Sequence, residues 1–129
     1  MITEDYVSLK SAKFLREKGF DEMCEYVYRN PDENMIYVLQ KFFKPIKNSE
    51  LIDEVYTAPT LSITMKWLRK VHNLHIEIIW YQLPLGYAPN IVNIKEHKTV
   101  ASIRNKNKEW DEPEEAIKAA IKYCLENLI

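Results

Sequence analysis

Histidine, carboxylate, tyrosine and basic side chains gather in the second half of this 129-residue chain at alternating positions. His75, Glu77 and Tyr81 share one parity of a period-two run, and Asn93, Lys95, Lys98 and Arg104 follow in the next polar-apolar segments. On one sheet face, with Ser102 and around Ile79, Ile91 and Val100, they would surround an apolar strip with charge and hydrogen-bonding groups. A shallow site for a small ligand such as a nucleotide has that make-up. Catalysis is not expected. His75 and Glu77, two apart on a strand, stand about 6 to 7 Å from each other, and no nucleophile accompanies them. His72 and His75 straddle a helix end and a strand start, so they lack the one-face geometry of a helical metal pair, and no third or fourth ligand matches. No metal and no cofactor is expected.

A second chemistry is offered by two basic clusters. Lys41, Lys44 and Lys47 interleave with Phe42 and Phe43, and Arg104, Lys106 and Lys108 with Asn105 and Asn107. Aromatics among lysines suit nucleic acid, stacking on bases while the cations neutralise phosphates. Candidate residues for that role are Lys41, Lys44, Lys47, Arg104 and Lys106. Carboxylates follow each cluster closely (Glu50, Asp53 and Glu54; Glu109, Asp111 and Glu112), which is also the composition of a solvated loop. Eighteen basic against nineteen acidic side chains leave a formal charge of −1, so no global field draws a polyanion. Only two glycines are present, which excludes a phosphate-cradling P-loop and a glycine-rich dinucleotide fingerprint. Cys24 and Cys124, a lone pair far apart in sequence, suit buried reduced thiols. The charged first twenty residues are unlike a signal peptide, no apolar run reaches the roughly 18 residues of a membrane span, and a cytoplasmic protein is expected.

These side chains need elements to hold them. Ser8 caps a helix over residues 9–18, with Gly19 as its stop. Strand-forming residues at 23–28 and 35–39 flank a turn-rich segment, giving a hairpin. Residues 41–49 have no clean period and are expected to be a connector, and 51–56 a short edge strand. Pro59 and Thr60 start a second helix. On a helical wheel Ile63, Trp67, Val71, Thr64, Leu68, Leu61, His72 and Met65 occupy one arc of about 200°, leaving Ser62, Lys66, Arg69 and Asn73 for solvent. His72 is expected to cap that helix. From Leu74 the period changes to two, with Ile76, Ile78 and Trp80 toward the helix. A loop through Pro84, Gly86 and Pro89 should lead to a hairpin of 90–95 with 98–104, in which Val92, Ile94, Ala101 and Ile103 face the core. Asp111 as cap, Pro113 in the first turn, and Glu114 and Glu115 at the positive end open a last helix. Its apolar stripe is Ile117, Ala120, Ile121, Cys124, Leu125 and Leu128. The expected fold is α+β, one domain over 1–129 with a mainly antiparallel sheet and three helices, its second half ordered αβββα.

That αβββα order is similar in topology to the double-stranded-RNA-binding domain. Where that family carries phosphate-contacting lysines at the start of the last helix, this chain has Glu112, Glu114 and Glu115, which repel phosphate. Pro113-Glu114-Glu115-Ala116 after three strands also resembles small antitoxin domains of the HicB type. Tyr56-Thr57-Ala58-Pro59-Thr60, Lys66-Trp67-Leu68-Arg69, Val71-His72-Asn73-Leu74-His75-Ile76 and the closing helix with Glu114-Glu115-Ala116 resemble small uncharacterised proteins encoded by phages and prophages of gut bacteria. That resemblance covers about the last 75 residues and implies an accessory role without supplying a catalytic residue. The function expected is a non-enzymatic accessory protein that binds a host macromolecule or assembles with itself. The alternatives are a nucleotide-binding or nucleotide-sequestering protein and a nucleic-acid-binding protein. A protein partner or a second copy is the expected partner, and a membrane is not.

Overall fold

The computed structural model describes residues 2–32, 34, 36–104 and 109–129. Among them the chain forms three α-helices and two three-stranded antiparallel sheets, an α+β fold. The chain divides into two compact units, Met1–Thr60 and Leu61–Ile129.

In the first unit, helix α1 (Leu9–Glu17) begins where the Ser8 hydroxyl accepts the Ser11 N–H at 3.2 Å. It ends in a left-handed Gly19, with Phe20 N–H bonded to Leu15 O and Gly19 N–H to Arg16 O. This double bond pattern satisfies two terminal carbonyls and brings Phe20 back against the helix. Strands β1 (Cys24–Arg29), β2 (Val38–Ile46) and β3 (Tyr56–Thr57) form a sheet in the order β2-β1-β3. Ala12, Leu15, Phe20, Val27, Ile46 and Ala58 are buried. The buried Asn48 amide donates to Phe20 O and accepts from Thr57 N–H, both at 2.9 Å, tying the helix exit to β3.

Two expectations for this unit are corrected. Residues 41–49 are not a connector: 38–46 is strand, and 48–50 a 3-10 turn. As an edge strand β2 is solvated on both faces along most of its length, so no period of two shows in its sequence. Cys24 pairs with Ile46 and Tyr26 with Lys41, so residues 42–45 bulge out opposite Glu25 alone. That bulge accommodates Pro45, which has no N–H to give a ladder. The edge strand expected over 51–56 shrinks to Tyr56 and Thr57, because the segment before it is a loop with Glu54 in the left-handed region.

The second unit has the order αβββα. Helix α2 (Leu61–His72) buries Leu61, Thr64, Trp67 and Leu68, the middle of the expected arc, while Ile63 at its edge is 41% exposed and Val71 in the last turn 55%. Asn73 at φ 59° makes the turn at its end, since asparagine tolerates the left-handed conformation that lets strand β4 (Leu74–Gln82) begin at once. Strand β5 (Leu85–Asn93) lies between β4 and β6 (Lys98–Ser102). Helix α3 (Pro113–Tyr123) continues as a wide π-helical turn, Cys124–Leu128, and packs on β4, β5 and α2.

The loop expected through Pro84, Gly86 and Pro89 is mostly strand β5. Pro89 is tolerated mid-sheet because its β6-facing side looks past the end of that strand, where only its carbonyl is used, accepting Ile103 N–H at 3.1 Å. Gly86, at φ 131°, lies where a Cβ would come within 2.7 Å of Trp110 O, so the close approach of 109–110 requires glycine. The hairpin faces are also revised. Ile91 pairs with Ile76 and is fully buried, whereas Val92 pairs with His75, and Ile94 is 39% exposed. The phase is set by β4 across the ladder, and a bulge at Val100 then shifts β6 by one residue. At the start of α3 the cap is Glu112 rather than Asp111, without a side-chain bond, and Pro113 occupies the first turn as expected.

Candidate functional site

In the second unit, alternation along β4 puts His75, Glu77 and Tyr81 on one face, opposite Val92, Asn90 and Gly86. Asn90 receives the Ser102 hydroxyl at 2.8 Å, so Glu77, Asn90 and Ser102 form a polar row across three strands. Asn93 is out of phase with this face. It pairs with Leu74, and its Oδ1 accepts the N–H groups of Lys95 and Glu96 at 3.1 and 3.0 Å, shaping the turn into β6. Lys95 sits exposed in that turn, and Lys98 pairs with Glu96 at 3.2 Å across solvent, a contact worth about 0 to 1 kcal/mol.

Of the expected ligand-binding set, the structure brings Tyr81 and Arg104 into contact. The Arg104 guanidinium carbon lies 4.2 Å from the Tyr81 ring centroid, and Nε lies 3.0 Å from Oε2 of Glu109. The Glu109 side chain is only 1% exposed, and among the described residues its Oε2 has no aligned hydrogen-bond donor, so the Arg104 contact is an ion pair by proximity. The sequence reads Glu109 as a solvated loop carboxylate, because it closes a charged, polar run with no apolar period to announce burial. The cluster's geometry is that of a buried carboxylate neutralised by an arginine that an aromatic face holds in place. Arg104 thereby has less to offer a phosphate than its sequence position suggests.

In the first unit, Lys41 just before the bulge and Lys44 within it flank Phe42 and Phe43, whose ring centroids are 4.6 Å apart. Phe43 is 85% exposed, with the Lys44 ammonium 5.8 Å from its ring. Lys47 precedes the 3-10 turn, where its N–H donates to Glu50 Oε1 at 3.2 Å. Exposed apolar residues continue along the same strand at Val38 and Leu39 and, before it, at Ile36. Among the described residues β2 pairs with β1 alone, so its outer edge is open. Lys106 lies outside the described residues, and Arg104 belongs to the other unit.

A cleft of about 970 Å³ in the first unit has no counterpart in the sequence analysis. Tyr37, Phe42, Ile52 and Tyr56 give it an apolar lining, with Lys13 and Glu54 among its charges. Arg16 fixes one wall by donating to the carbonyls of Leu51 at 3.1 Å, Ile52 at 3.0 Å and Val55. Its residues come from four stretches of chain with no common motif, α1, the end of β1, 37–42 and 50–56, and only the folded unit brings them together. Among the described residues no helix is long and apolar enough to cross a membrane. Comparisons with protein-family models, with curated proteins and with solved structures found no match to this chain.

Proposed function

We propose that the protein is a non-enzymatic phage or prophage accessory protein that acts by binding a macromolecular partner through β2, and that the partner is a protein segment carrying acidic and apolar side chains. The observation that carries this is the open edge of β2 with its bulge, where Phe43 stands 85% exposed between lysines. Exposed apolar residues gathered along one open edge strand are the usual mark of an interaction surface. The aliphatic members Ile36, Val38 and Leu39 favour a polypeptide over nucleic acid, since they offer nothing for a base to stack on. Lys41 and Lys44 favour an acidic partner over a second β2, whose own lysines would bring like charge to the contact. The bulge and Pro45 act in the same direction, because both interrupt the straight edge that strand-to-strand self-pairing needs.

Affinity capture from a host lysate tests the proposal, with wild-type protein and Phe43→Asp compared side by side after nuclease treatment. A protein held by wild type, lost with Phe43→Asp and weakened by salt supports it. Capture that depends on nucleic acid, self-association in sedimentation with no other partner, or equal capture by both proteins contradicts it.

A further inference from the structure

Lys13 lies on the exposed side of α1, yet its ammonium is not simply solvated. Nζ stands 5.1 Å from the Tyr37 ring centroid and 5.8 Å from that of Tyr56. Both lie within the roughly 6 Å over which a ring face attracts a cation. The two rings are 6.2 Å apart and tilted by 43°, an open two-sided cage. The recess beside it, about 460 Å³, is lined by the carboxylates Glu17, Asp53 and Glu54, by Tyr56, and by Lys13 and Arg16, the latter 5.8 Å from the Tyr56 centroid and 3.9 Å from Asp53. Burial first, then Tyr56 and Glu54, pushes the Tyr37 hydroxyl above its ordinary pKa. Three carboxylates against Lys13 and Arg16 leave the recess net negative, and more so once Lys13 withdraws, which disfavours phosphate and carboxylate ligands and favours cations. The loop that supplies Asp53 and Glu54 is already clamped by Arg16, so a ligand need not order it.

We propose that the Tyr37–Tyr56 recess is a binding site for an organic ammonium cation, and that Lys13 is its built-in occupant, displaced when the ligand enters. The chain itself shows that the cage accepts an alkylammonium. Lys13 has somewhere to go on leaving, since Glu17 is one turn along the same helix at the i+4 position. The larger cleft around Tyr37 reaches Phe42, whose ring is 4.6 Å from that of Phe43, but Phe43 itself lines neither the cleft nor the recess, so Phe43→Asp keeps every residue of the cage.

The test titrates the full chain with tetramethylammonium chloride against sodium chloride at matched ionic strength, following the tyrosine ring signals by NMR. The ammonium salt should shift Tyr37 and Tyr56 beyond the sodium control. Lys13→Gln should bind about two- to fivefold tighter, because one competing cation-ring contact of about 0.5 to 1 kcal/mol is removed. Tyr37→Leu should weaken binding, and Tyr37→Phe, which keeps the ring, should retain it. A trimethyl-lysine peptide binding more tightly than the free ion would assign the site to a protein side chain, and the reverse order to a free amine. Ring signals that respond no more than to sodium, or a Lys13→Gln protein that binds no tighter than wild type, would overturn the proposal.

Discussion

Glu109 illustrates how a single side chain constrains its neighbours. A carboxylate with 1% exposure is tolerable here because Arg104 neutralises it from 3.0 Å and Tyr81 holds the guanidinium. Arg104→Ala leaves a buried charge unpaired and should cost about 1 to 3 kcal/mol in urea unfolding, discounted because the arginine is partly exposed. Adding Glu109→Gln to Arg104→Ala should recover part of that loss, since the remaining amide carries no charge. The two thiols make a different prediction. Burial pushes Cys24 up to about 11 and Cys124 up to about 12. Because both folded values lie above the ordinary thiol value of 9.0, the stability they contribute is whole below about pH 9 and is lost as pH rises toward 11 to 12. At pH 8 a thiol reagent should therefore label the native protein slowly and both cysteines at once in denaturant. Fast labelling of the native chain would contradict their burial.

Among the elements, helix α2 gives the sharpest test of packing. Trp67 is 6% exposed and its ring meets the His72 ring at 4.8 Å, whereas Lys66 on the next position is exposed. Trp67→Ala should cost about 3 to 5 kcal/mol and Lys66→Ala less than about 0.5 kcal/mol, both measured by chemical denaturation. The helices were legible in the sequence because each carries a local signal: Ser8 and Gly19, the arc around Trp67, and Pro113 with its acidic first turn. The order αβββα was legible for the same reason. Strand β2 was not, since a solvated, bulged edge strand has no period to read. The first half of strand β5 was hidden by Gly86 and Pro89, whose turn chemistry is overridden by the 109–110 crossing and by the early end of β6. Face assignment failed at Ile91 because parity passes across the ladder from Ile76 and cannot be counted through a misplaced loop. Of the candidate ligand set Tyr81 and Arg104 meet across the fold while Asn93 and Lys95 meet only within a turn, and the organiser of the first pair, Glu109, carried no sequence signal for burial. The cleft beside Tyr37 and Tyr56 depends on α1, β3 and a loop, so its parts were visible singly and not as a site.

At the scale of the whole chain, a charge of −1 means that electrostatic attraction must come from local patches. Lys41 and Lys44 beside Phe43 are one such patch, while Glu17, Asp53 and Glu54 outnumber Lys13 and Arg16 in a net-negative recess within the same unit. Binding that joins an apolar anchor to a few lysines should weaken with salt yet persist, because the apolar part is not screened. An open edge strand also exposes the chain to unwanted pairing, and the bulge at 42–45 with Pro45 limits that while leaving Phe43 available. The direct measurement is the dissociation constant of the captured protein partner for wild type and for Phe43→Asp, with far-UV circular dichroism confirming equal folding. The binding account predicts at least about tenfold weaker affinity for the variant, the loss of a central anchor of about 1.4 kcal/mol or more. Equal affinity in two equally folded proteins would contradict it.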